Sequence, residues 1–155
     1  MGKDRGSLGQ AALLGAAAGL AGVGAMTLTE KIEQRFTHRP DSYVPARTLA
    51  RLLRLPRPDE DDWTRNMVMH WSNGLVLGPV RGMMAAANLR GPWASLMLTP
   101  LRLSWDQTLE NATGVGAPPW TWPRKELAID VFHKTVFALA TGLVADWMIP
   151  PPRGA

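Results

Sequence analysis

The chain has 155 residues and a formal net charge of +4, and it contains no cysteine, which excludes disulfides, thiolate metal sites and cysteine nucleophiles. The length suits one domain, residues 1–155, and the basic balance points to an anionic partner. No nucleic-acid motif is present and the basic residues lie between apolar segments, so a membrane surface, not nucleic acid, is the expected partner.

In chain order, the first element is an uncharged run from Gly6 to Thr29. As a helix it measures roughly 36 Å, enough to cross a bilayer, and a first span is expected over residues 7–29. It contains the pair Gly15 and Gly19 at the spacing used for close helix packing. Lys3 and Arg5 ahead of the run also fit a signal peptide, but the run is long and glycine-rich for one.

The connection that follows contains ARTLARLLRL, with Arg47, Arg51 and Arg54 on one face and leucines towards another. A short basic amphipathic helix is expected over residues 46–55, suited to anionic headgroups. Pro45 precedes it, Pro56 and Pro58 end it, and the acidic run Asp59 to Asp62 stands at the start of the next helix.

A second span is expected over residues 64–88. His70, Gly74, Gly78, Gly82 and Ala86 recur every four residues, forming one smooth stripe on a helix with an imidazole near one end. Each interior glycine costs about 1 kcal/mol relative to alanine, so the stripe implies helix–helix contact within a bilayer. A third span over 91–110 is interrupted by Pro100, Arg102 and Asp106, and a fourth covers 127–149. Trp63, Trp120 and Trp122 would fall at one interface, with Trp93 and Trp147 at the other.

The resulting fold class is all-α: an integral membrane bundle of four transmembrane helices with a weak two-helix duplication. The excess of Lys and Arg after spans one and three, against Lys3, Arg5, Arg90 and Arg153 elsewhere, places both termini outside. This topology brings Glu30, His70, Asp106, Glu110 and His133 to similar depth in one leaflet. Imidazole with carboxylate suits a divalent metal such as Zn, Mn or Fe, and intramembrane ionisable groups also serve proton or ion paths. Arg102, Asp106 and Glu110 form an i, i+4 ladder that can instead pair internally, and Asp130 and His133 at i, i+3 could share one ion. Two histidines beside a glycine stripe also raise a b-type haem, a weaker fit because packing alone explains the glycines. Hydrolase and nucleotide motifs are absent.

The GAAAGLAGVGAMT run ending at Glu30, the His70-Trp71 pair followed by GxxxGxxxG, and a last segment with a central His133 resemble small uncharacterised bacterial four-span integral membrane proteins. That resemblance implies a multi-pass inner-membrane location and no settled activity. The expected function is non-enzymatic: a structural, accessory or assembly role through association in the bilayer, as a homo-oligomer or within a larger membrane complex. No cofactor is needed for it. The alternative is an ion- or metal-binding membrane protein using the His and carboxylate cluster. Gly15, Gly19, Gly74, Gly78 and Gly82 are the expected packing residues.

Overall fold

The computed structural model describes residues 8–152, so Lys3, Arg5 and Arg153, which entered the orientation argument, lie outside the described residues. The described chain is helical: α1 (Leu8–Thr37), α2 (Val44–Leu52), α3 (Trp63–Ala86), α4 (Gly91–Leu96), α5 (Leu98–Ala112), a 3-10 turn at Pro119–Thr121, and α6 (Arg124–Met148). Helices α4 and α5 are separated only by Met97, so the described residues hold six α-helices where four spans were expected. Pro100 accounts for that break. It has no N–H to offer the carbonyl of Leu96, one turn earlier, and it stands in the first turn of α5, where a missing N–H is tolerated.

Helix α1 is the axis, packed between α3 and α6, while α2 lies on α3 and both α4 and α5 lie on α6. The α1–α3 contact is antiparallel and made by backbone. A Cβ added to Gly15 would overlap the Gly78 carbonyl oxygen and come within 2.9 Å of the Gly82 Cα. One added to Gly19 would overlap the Gly74 carbonyl oxygen, and one added to Gly82 that of Ala11. Close backbone approach of this kind brings Cα–H groups against carbonyl oxygens, a small gain at each crossing point. Beyond the seam, Val23, Met26, Leu77, Leu98, Phe137 and Ala138 form one buried cluster, with Trp105 packed against it. A second cluster of small residues, including Ala11, Ala18, Ala85 and Ala145, closes the other end.

Local chemistry explains the helix boundaries. Asp62 caps α3 by accepting from the Arg65 backbone N–H at 2.9 Å. Pro45 opens α2, whose Ala46, Thr48 and Ala50 are buried, and the Ala46 N–H donates to Asn66 Oδ1 at 3.1 Å. The helix stops at Leu52, and Arg54 adopts a left-handed φ of 53° as the chain turns.

The four-span membrane bundle is not what forms. Among the described residues, only α1 and α6 are long and apolar enough to cross a membrane, a test that the buried core helix of a soluble protein also passes. The segment expected over 91–110 is divided into two helices, of 6 and 15 residues. The segment expected over 64–88 buries Asn66, Asn73 and Arg81. The division at Met97 has no counterpart in α1, which removes the two-helix duplication. Nor is the basic face of α2 directed at lipid. Arg47 pairs with Asp61 at 2.7 Å and Arg51 with Asp59 at 2.6 Å, so two of its three arginines are bound by the acidic run that follows the helix. The glycine stripes are consumed inside the chain, α1 against α3, which removes their use as evidence for a homo-oligomer or a larger membrane complex. The bilayer partner and the multi-pass inner-membrane location rested on these same features and fall with them.

Candidate functional site

Two buried ionic networks run through the bundle. The first, at the α4 end, is architectural. Arg81 is fully buried beside the glycine seam and donates to Asp146 Oδ2 of α6 at 2.8 Å and, more weakly, to Ser95 Oγ. The Gly91 backbone N–H also donates to Asp146 Oδ2, at 2.8 Å. Arg90 donates to the carbonyl oxygens of Asp146 and Ile149 at the end of α6. This clamp ties α3, α4 and α6 together. Sequence reading missed it, although Arg81 within the glycine segment and Asp146 near the end of the last apolar segment were its visible signal.

The second network faces a half-open cavity of about 610 Å³ lined by α1, α2, α3, α5, α6 and the loops before α2 and α6. All five residues expected to form a site, Glu30, His70, Asp106, Glu110 and His133, line this one cavity. They meet different partners there. Thr27 Oγ1 donates to the Val23 carbonyl oxygen at 2.9 Å and lies 3.0 Å from His70 Nε2. His133 Nδ1 lies 3.5 Å from Thr29 Oγ1 and its Nε2 lies 3.6 Å from Glu33. Glu30 is 3.9 Å from Arg39. Asp106 accepts from Arg102 Nε at 2.9 Å, and Lys134 stands 3.5 Å from the same oxygen. Lys134 is bound most closely by Asp130, at 2.5 Å. The guanidinium of Arg102 also stacks over Phe137, 4.9 Å from the ring centre.

Among the described residues, no three His, Cys, Asp or Glu side chains are arranged to hold a metal ion. The expected metal set of Glu30, His70, Asp106, Glu110 and His133 fails because Arg102 and Lys134 take the carboxylate of Asp106 and each histidine binds a threonine of α1. The ion- or metal-binding alternative is withdrawn on that ground. Lys134, the cation that sequence reading left out, was legible as the i+4 neighbour of Asp130.

The electrostatics of the cavity are set by burial. Removal from water pushes the His70 imidazole down to about 4, helped by the positive charge of Arg102, so the ring is neutral near pH 7. Burial pushes the Glu110 carboxyl up to about 7, and the charges of Asp106 and Asp130 add to the rise while Lys134 opposes it. Glu110 has one close polar partner, Gln107, whose Nε2 donates to it at 3.1 Å. Four of the lining residues each carry a buried polar atom with no hydrogen-bond partner among the described residues: Arg102 Nη1, Asp106 Oδ1, Thr48 Oγ1 and His133 Nε2.

No family model, curated protein or solved structure matches the chain. The resemblance to four-span bacterial membrane proteins therefore has no support, and function rests on the cavity itself.

Proposed function

We propose that the chain is a small-molecule-binding helical protein, non-enzymatic, that holds its ligand in the cavity beside Arg102 and Asp106. The observation that carries this reading is a cavity of about 610 Å³, in the range of known ligand sites, whose wall combines the Arg102–Asp106 and Lys134–Asp130 ion pairs with Glu110 and with the aromatic residues Tyr43, Trp63 and Trp122.

Binding is favoured over turnover by the state of the candidate catalysts. His70, with its basicity depressed to about 4, is a weak proton acceptor, and the Lys134 ammonium is held between two carboxylates and cannot serve as a free amine nucleophile. The test is a ligand-observed NMR screen of small fragments against the wild-type chain and Val115→Trp. Val115 lines the cavity from the loop after α5, so an indole there fills the space without altering the helical core. Fragments that bind the wild type and not the variant support the reading. An absence of hits, or hits indifferent to the variant, overturns it.

A further inference from the structure

Resting on the cavity reading above, we infer that residues 38–43, between α1 and α2, are a strap over the cavity, latched by the Lys31–Asp41 and Arg39–Glu33 ion pairs, and that its opening admits the ligand. Most of the cavity wall is anchored in the core. Its α3, α5 and α6 faces include the buried residues Met69, Asn73, Asp106 and Lys134, and α2 is held down by buried Ala46 and Ala50. The strap has no such anchor. No residue from 27 to 45 is buried, although Arg39, Asp41, Ser42 and Tyr43 all line the cavity. A segment that buries so little opens locally at a small fraction of the cost of unfolding the whole chain.

Charge holds the strap down in place of apolar contact. Lys31 Nζ meets Asp41 at 2.5 Å, with both side chains exposed, and this bond holds the Asp41 carboxyl below the ordinary carboxylate range. Arg39 donates to Glu33 through Nε at 3.2 Å and Nη2 at 3.0 Å, and Thr37 Oγ1 fixes the same carboxylate at 2.6 Å. The strap starts at His38, whose left-handed φ of 57° is rare for an L side chain and reverses the chain in one residue. That residue is the hinge. Beyond the strap, the Ala46 N–H is tied to Asn66 of α3, so α2 stays in place when the strap swings. The loop before α6 is the other irregular part of the wall, and it is stiffer. Pro118, Pro119 and Pro123 restrict its backbone, and Trp122 Nε1 donates across it to the Ala117 carbonyl at 2.7 Å.

The chain has no cysteine, so one introduced thiol reports its own access to solvent. Met69 lines the cavity and is 7% exposed, whereas Val23 is fully buried in the core cluster. Met69→Cys therefore reads opening of the strap, and Val23→Cys reads unfolding of the bundle. Iodoacetamide, which is uncharged, alkylates each thiol in the full chain. Adding Arg39→Ala is expected to speed reaction at Met69→Cys about tenfold and adding Lys31→Ala about threefold, with less than about a twofold change at Val23→Cys. Lys31→Asp and Asp41→Lys are each expected to speed it, and the two together to bring the rate below that of either alone. A Met69→Cys rate indifferent to Arg39→Ala overturns the strap, as does one that already equals the rate of the urea-unfolded chain. Equal acceleration at both thiols also overturns it, because the ion pairs would then hold the bundle and not a gate. A combined charge swap faster than both single changes overturns the latch role of Lys31 and Asp41. No ligand enters this measurement, so a negative result strikes the strap alone and leaves the cavity reading to the fragment screen.

Discussion

Gly78→Ala adds a single methyl group at the point where α1 and α3 touch through their backbones. In an exposed helix that change stabilises by about 1 kcal/mol, because alanine has the better helix propensity. At Gly78 the new Cβ overlaps the Gly15 carbonyl oxygen and lies 2.9 Å from the Gly19 Cα and 3.0 Å from the Gly15 carbonyl carbon. All three atoms are backbone, so no side chain can rotate aside and the helices must separate. Overpacking of this kind costs about 1–3 kcal/mol and occasionally more, and here the separation also loosens the crossings at Gly74 and Gly82. The clash outweighs the propensity gain, and a net destabilisation of about 2 kcal/mol is expected, or roughly 4–8 °C in Tm for a chain of this size. Gly24→Ala is the internal control. Its Cβ meets only the Trp71 ring, at 3.9 Å, an ordinary contact, so the same change is expected to stabilise by up to about 1 kcal/mol. Urea unfolding followed by circular dichroism reads both. If Gly78→Ala is as stable as wild type, or both variants move in the same direction, the seam is not the backbone contact described.

Three further outcomes follow from the ionic networks. Asp146→Ala leaves the guanidinium of Arg81 buried without its carboxylate and is expected to cost about 3–5 kcal/mol, whereas Asp59→Ala, at an exposed pair, is expected to cost less than about 1 kcal/mol by the same unfolding assay. His70 and Glu110 act oppositely on the pH dependence of stability. The depressed folded value of His70 makes stability fall as pH drops from about 6.5 towards about 4, and the raised value of Glu110 makes it fall as pH rises from about 4.5 through about 7. Relative to wild type, His70→Gln is therefore expected to remove a rising slope and Glu110→Gln a falling one, each about 1 kcal/mol per pH unit in the overlap; identical profiles for the two variants would contradict the assignment. Arg51→Ala removes the donor to the Thr113 carbonyl at 3.0 Å, and faster amide hydrogen exchange is expected over residues 113–116.

Most helix positions were legible in the sequence, because apolar periodicity and the capping residues are local. The segment expected over 64–88 becomes Trp63–Ala86, and that over 46–55 becomes Val44–Leu52. What the apolar runs meant was not legible. The uncharged stretch to Thr29 reads as a span because bilayer and protein interior make the same demand on side chains. The helix itself runs on to Thr37, and Glu30 and Lys31 in that extension line the cavity. Glycines at four-residue spacing mark a backbone crossing in either setting, and only the coordinates show that Gly74, Gly78 and Gly82 meet Gly15 and Gly19 of the same chain. In the site, the shared location of Glu30, His70, Asp106, Glu110 and His133 followed from which helix ends lie together. The cations between them were the missing part: Lys134 and Arg102 decide that the cluster is a network of ion pairs and not a ligand set.

Amide chemical-shift mapping with a fragment that binds the wild-type chain tests whether the cavity is where this protein holds its ligand. The expected result is a compact set of shifts around Thr27, His70, Glu110 and Lys134, lost in Val115→Trp. Shifts spread over exposed apolar positions such as Leu13, Leu75 and Leu143, unchanged by that variant, would contradict the account.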